Sequence, residues 1–240
     1  MQSIDETFFL LNWNRDAHSM TDAPQPAKLQ KPVAPPRADE ASVREALRRN
    51  ATLLPPEFYS RDPRHVAPDL LGKLLLRREG KQLRAGRIVE VEAYLAADDP
   101  AAHAYRGRTE RNAALFGPPW HAYVYFIYGF HYCLNFSCEG NGGGVLIRAL
   151  EPVTGIELMY PARDLEPRDG RVRELRLLTS GPGRLAEAFS ITRDRDNNKN
   201  VTSRRSDLQV TDVGWKPQKI ATTVRIGITK AAERPLRYVI

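Results

Sequence analysis

Arg87-Ile-Val-Glu-Val-Glu-Ala-Tyr94 is the stretch on which the reading of the fold turns. Apolar and acidic residues alternate in it, the period of two that belongs to an extended strand with unlike faces. Val89, Val91 and Ala93 point one way, toward a core, and Glu90, Glu92 and Tyr94 point the other. One face is thus fit for a core, and the opposite face offers two carboxylates and a phenol. On either side of this strand the elements are short and mixed. Asp62-Pro63 reads as a helix N-cap followed by proline at the first helical position. Residues 70–77 close that helix and enter a strand. Residues 123–137 read as two strands around Gly129, and 145–150 as another after the glycine-rich segment 140–144. Short helices are predicted over 154–160 and 182–189 and a late strand over 224–229, while the Asn-, Arg- and Asp-rich segment 194–206 reads as an exposed loop. This irregular interleaving predicts an α+β fold. The expectation is a single domain with a mainly antiparallel, curved sheet, flanking short helices and a protruding β-hairpin.

Composition narrows the function classes. Of 240 residues, 42% are hydrophobic and 27% charged, the balance of a chain with one ordinary core. Two cysteines, Cys133 and Cys138, are too few for a disulfide scaffold or a four-thiolate zinc site. No apolar run approaches the roughly 20 residues that span a bilayer, and Phe8 to Leu11 follow Asp5 and Glu6, the wrong charge for a signal peptide. A cytoplasmic protein, nucleoid-associated if bacterial, is expected. Residues 1–52 are proline-rich at first and weakly helical from 41, and read as a disordered tail before a folded body over 53–240. That tail holds seven basic and seven acidic side chains, so the net charge of +7 falls on the body. A basic body favours a polyanionic partner.

Candidate chemistry gathers at two places. Glu90, Glu92 and Tyr94 share a strand face and are followed closely by Asp98, Asp99 and His103. Carboxylates beside a histidine make an acid–base set and equally a metal-site decoy. Two carboxylates roughly 7 Å apart along a strand also leave room for an attacking water. The bland alternative is a solvated outer face. At the second place, Tyr123-Val-Tyr-Phe-Ile-Tyr-Gly129 puts Tyr128 at a hairpin tip, where an aromatic ring can wedge between bases. Arg106, Arg108 and Arg111 could hold flanking phosphates.

These residues resemble the alkyladenine (3-methyladenine) DNA glycosylase family. The matching words are Val89-Glu-Val-Glu-Ala-Tyr-Leu95, Ala101-Ala-His-Ala-Tyr-Arg-Gly-Arg108, Tyr123-Val-Tyr-Phe-Ile-Tyr-Gly129 and Tyr132-Cys-Leu-Asn135. Val145-Leu-Ile-Arg-Ala-Leu-Glu-Pro152, Ser180-Gly-Pro-Gly-Arg-Leu185 and Arg225-Ile-Gly-Ile228 follow in the same order. The resemblance implies a monofunctional glycosylase that flips alkylated or deaminated purines out of double-stranded DNA and hydrolyses the N-glycosidic bond. It implies Glu92 as the base that activates water, with Arg148 helping to position it. Tyr94, His103 and Tyr125 would stack on the damaged base, Asn135 would stand at the pocket wall and Tyr128 would fill the gap in the duplex. A monomer is expected, with no metal, no cofactor and no membrane. The chain departs from many relatives at Glu110 and at Trp120, where they carry proline and glycine. The competing readings are a binding module without turnover, and a metal-dependent hydrolase using Glu90, Glu92, Asp98, Asp99 and His103.

Overall fold

The structure, a computed structural model, describes residues 40–49, 51–127, 129–139, 141–167 and 172–240. Its strands are β1 (Thr52–Leu53), β2 (Leu74–Glu79), β3 (Gln82–Tyr94), β4 (Ala122–Ile127), β5 (His131–Ser137), β6 (Gly144–Thr154), β7 (Leu208–Asp212), β8 (Ala221–Thr223) and β9 (Arg237–Val239). The α-helices are α1 (Glu40–Arg49), α2 (Pro56–Tyr59), α3 (Pro63–Leu70), α4 (Ile156–Ala162), α5 (Val172–Thr179), α6 (Pro182–Ala188) and α7 (Arg193–Asp196). All nine strands join one curled antiparallel sheet in the order β1-β7-β2-β3-β6-β5-β4, with β9 beside β3 and β8 outside β9. The fold class is therefore α+β, as the irregular interleaving of strands and helices predicts.

The 13-residue β3 is the spine. Its first half pairs β2 up to Arg87, and its second half takes β9 from Glu90 onward, while β6 runs along the other edge. The pairing with β6 is irregular between Ile88 and Val91. Ile88 opposes Leu150, Glu90 opposes Ala149 and Val91 opposes Ile147, leaving Val89 and Arg148 without opposite numbers. This irregularity corrects the simple alternation: Ile88 joins Val91 and Ala93 in the core, whereas Val89 is only half buried. The main core lies between the sheet and the helices, with Val66, Leu70, Leu134, Phe136, Ile147, Leu178, Leu185 and Phe189 all buried in it. α1 docks Val43 on a smaller cluster of Leu74, Leu76, Ala85 and Val153. At the start of α3, Asp62 Oδ1 accepts from the Arg64 amide at 2.8 Å and Pro63 opens the helix, as read from the sequence.

Two expectations are overturned. Segment 194–206 is no exposed loop: α7 starts it, Asp196 and Val201 are fully buried, and the chain runs along β4. Ala122 donates to the Lys199 carbonyl at 2.9 Å, Asn198 to the Ala122 carbonyl at 2.7 Å, and Val124 to Asn197 Oδ1 at 3.0 Å. A polar segment thus satisfies the unpaired edge of the sheet, a need that hydropathy does not register. Residues 224–229 are likewise not a strand, because the Arg225 side chain and the Ile226 amide bond inward to Asp99 and Glu92. Strand pairing is confined to β8 before this loop and β9 after it. Trp120, a departure noted above, has φ of +66°, which glycine adopts freely, and its ring packs against the main core.

Candidate active site

The sheet register assembles the candidate residues. One row runs across five strands: Tyr123 on β4, Asn135 on β5, Leu146 on β6, Glu92 on β3 and Arg237 on β9. Directly opposed residues face the same side, so residues more than 100 positions apart share one concave face. In neighbouring rows Tyr125 opposes Cys133 and Tyr94 opposes Gly144. Arg148 enters this face from the irregular point on β6, where its carbonyl accepts from the Gly181 amide at 2.9 Å instead of from β3. Bulges of this kind commonly re-aim a side chain beside an active site.

Glu92 is fully buried and receives three donors. Oε1 accepts from the Ile226 amide at 2.8 Å, and Oε2 from the Tyr94 hydroxyl at 2.9 Å and Arg148 Nη1 at 3.3 Å. Burial pushes its carboxyl above the ordinary glutamate range. Arg148, the Ile226 amide and Tyr94 pull it back without cancelling the rise, and Glu90 adds to it. Burial and the neighbouring Glu92 push the Tyr94 phenol up, so Tyr94 keeps its proton and donates. Burial alone would weaken the charge of Arg148, but Glu92 and Glu90 outweigh it and hold the guanidinium cationic.

The metal-site alternative does not assemble. Asp99, fully buried, takes a two-pronged ion pair from Arg225 and bonds from the Leu95 and Ala101 amides. Burial would raise its carboxyl, but Arg225 and these amides prevail and hold it below the usual range. Asp98 is exposed, and its backbone carbonyl accepts from Arg234. Glu90 is taken by Arg148 and Arg237. Among the described residues, no three His, Cys, Asp or Glu side chains stand together as a metal ion would use them.

His103 lies on the exposed rim, apart from the carboxylates, with Nδ1 2.8 Å from the Tyr123 hydroxyl. Its ring meets Tyr125 edge-on at 4.4 Å between centroids, so the two form one aromatic wall, and Tyr94 presents a third ring from β3. Partial desolvation, and then the charge of Arg111, push the imidazole below its ordinary range, which keeps it neutral at pH 7. Asn135 is buried, with its amide donating to the Tyr123 carbonyl at 3.2 Å. Arg106, Arg108 and Arg111 are exposed, and none pairs with a carboxylate among the described residues. Tyr128 lies outside the described residues. Near it, Phe126 and Phe130 are 43% and 63% exposed.

Sequence reading quoted Arg225-Ile-Gly-Ile228 as a family word but gave the loop between β8 and β9 no part in the site. Arg225 stacks over the Tyr94 ring at 4.6 Å while gripping Asp99, and thereby brings the Ile226 amide to Glu92. The available signal was a lone arginine in an apolar word. Arg237 carried none.

A buried carboxylate, an arginine held against it and aromatic rings thus lie together on one curved sheet. The sequence profile of the methylpurine-DNA glycosylase (MPG) family matches residues 57–240. A Koribacter versatilis protein is 59% identical over 189 residues, covering 78% of this chain and 89% of its own. Relatives from Methanoculleus marisnigri and Burkholderia lata are 49% and 47% identical, and the matches cover 93% and 86% of their lengths. All three carry the provisional name of 3-methyladenine DNA glycosylase. The chain belongs to the methylpurine-DNA glycosylase family.

Proposed function

We propose that this DNA glycosylase excises alkylated or deaminated purines, of the class of 3-methyladenine, 7-methylguanine, hypoxanthine and ethenoadenine, in base excision repair. The target nucleotide leaves the duplex, since the bond to be cut is inaccessible within the stack. Its base lies among Tyr94, His103 and Tyr125, whose electron-rich faces favour an electron-poor purine, with Asn135 at the pocket wall. Glu92 removes a proton from a water that Arg148 helps to hold. The water oxygen bonds to C1′ as the C1′–N bond breaks, and the base departs with that electron pair. A cationic alkylated purine thereby leaves as the neutral base, and a neutral purine such as hypoxanthine leaves as an anion that takes up one proton, matching the one Glu92 removed from the water. The products are an abasic site and the free neutral base. Tyr128 takes the vacated place in the stack, and Arg106, Arg108 and Arg111 meet phosphates on either side. Phe126 and Phe130 offer apolar surface suited to the groove. The enzyme acts as a monomer on double-stranded DNA.

The observation that carries this reading is Glu92: a fully buried carboxylate held by Arg148, Tyr94 and a backbone amide on a face with three aromatic rings. The test is single-turnover excision from a methylated duplex and from duplexes with one hypoxanthine or ethenoadenine, with EDTA present. Wild type should yield alkali-cleavable abasic sites. Glu92→Gln should bind the same duplexes while losing on the order of 100-fold or more in rate. Excision surviving in Glu92→Gln removes Glu92 from the mechanism. Tight lesion binding by both proteins with no product from either means a binding module.

A further inference from the structure

Glu90 has no part in the chemistry just described, yet it is not given over to solvent. Its Oε1 accepts from Arg148 Nε at 2.9 Å and from Arg237 Nε, across β9, at 2.7 Å. Arg148 reaches Glu92 with a different nitrogen, Nη1, at 3.3 Å. One carboxylate therefore holds the stem of the guanidinium while its fork faces the other, and the bond to Glu90 is the shorter. A guanidinium is planar and rigid, so fixing Nε fixes the direction of both Nη groups. Arg148 also enters from a point where the strand ladder is interrupted, so regular pairing does not set its side-chain direction. We infer that Glu90, closed on its far side by Arg237, is the positioning residue that aims Arg148 at Glu92 and at the attacking water. The inference rests on Glu92 being the base.

The competing role is that of a mere neighbouring charge, and the two differ in sign. The groups facing Glu92 are Glu90 and Tyr94 on β3, Arg148 on β6, Cys133 on β5, Arg225 and the Ile226 amide from the loop, and Arg237 on β9. Among them Arg148 lowers the Glu92 carboxyl more than Glu90 raises it. If Glu90 only repelled, deleting it would ease ionisation of Glu92 and move the acid limb of the rate profile to lower pH. If it aims Arg148, deleting it loosens the larger effect and the limb moves to higher pH.

The experiment is single-turnover excision by the full chain on the hypoxanthine duplex, followed through the acid limb. Glu90→Ala should lower the plateau on the order of 10- to 100-fold and shift the limb to higher pH. Glu90→Gln keeps an acceptor for Arg148 Nε without the charge, so it should recover most of the plateau and shift the limb to lower pH. In an Arg148→Lys background, where no fork remains to be aimed, Glu90→Ala should cost no more than about twofold further. A limb moving down in Glu90→Ala, or losses that simply multiply in the double variant, overturns the inference. Glu90→Met, of similar bulk and without an acceptor, replaces the alanine variant if that protein does not fold. Undiminished excision by Glu92→Gln is a separate result and sinks the underlying assignment of the base instead.

Discussion

If Glu92 is the base proposed above, burial and catalysis pull in opposite directions there. A general base must be ionised, whereas burial shifts the Glu92 carboxyl toward its protonated form, a shift that Arg148, the Ile226 amide and Tyr94 reduce without cancelling. The raised carboxyl sets the direction of two pH effects. Activity needs the ionised form, so the acid limb of excision should lie above the ordinary glutamate range near pH 4.3. Stability runs the other way. The folded carboxyl binds its proton more tightly than the unfolded one, so its stabilising effect is complete below the unfolded value and is lost as pH rises through the folded one. Glu92→Gln should therefore be more stable than wild type at neutral pH. A higher Tm is the expected sign of that gain. The gap should close on acidification as wild-type Glu92 takes up its proton. Thermal unfolding of both proteins at neutral and acid pH checks this, and a variant less stable at neutral pH contradicts it. A site that destabilises its own fold is the usual mark of function.

Among the elements, the loop from β8 to β9 does more for the site than its appearance in the sequence indicates. Arg225, whose side chain is fully buried, is neutralised by Asp99 and also donates to the Ala93 carbonyl at 3.1 Å, and so ties the loop to the end of β3. Removing one partner of a buried pair leaves the other charge uncompensated, at a cost of about 3–5 kcal/mol. Asp99→Asn should lower Tm substantially and, in the protein that stays folded, slow excision by withdrawing the Ile226 amide from Glu92. Calorimetry with single-turnover rates tests this, and a normal Tm would mean that Arg225 finds another partner. The alternation of β3 from Val91 to Tyr94, the capped helix α3 and the two strands around Gly129 were legible because each rests on neighbours within a few residues. Arg148 itself came from the resemblance, but its displacement from the ladder was not legible, because the irregularity exists only in the pairing of β3 with β6. Segment 194–206 was misread because Asp196 and Asn197 are polar for internal reasons, one neutralising Arg77 at 2.7 Å and the other bonding β4. Arg225 could have been suspected, since an arginine in an apolar word is rarely there without a partner.

Across the whole molecule, the charge of +7 divides into cations that are spent and cations that are free. Arg77, Arg195 and Lys199 share Asp196, Asp207 and Glu79 in one network, and burial of Asp207 is outweighed by Lys199 and Arg195, which hold its carboxyl far down. Such cations stabilise packing and have little left for a ligand. Arg106, Arg108 and Arg111 are exposed, with no carboxylate on them among the described residues, and the charge of Arg111 reaches His103 and Tyr123 in the aromatic wall. If DNA is held there, those three should dominate its salt dependence. Each side chain that neutralises one phosphate contributes about 0.9 to the slope of log K against log salt, so Arg108→Ala should flatten the slope by about that amount. Arg64→Ala changes the net charge equally, but Arg64 is tied to Asp62 at 2.7 Å, so it should leave the slope as it is. Binding titrations of lesion duplex at several salt concentrations separate the cases. Equal flattening by both variants would mean that the protein's overall field attracts DNA, and an unchanged slope in Arg108→Ala would place the phosphates elsewhere on the basic body.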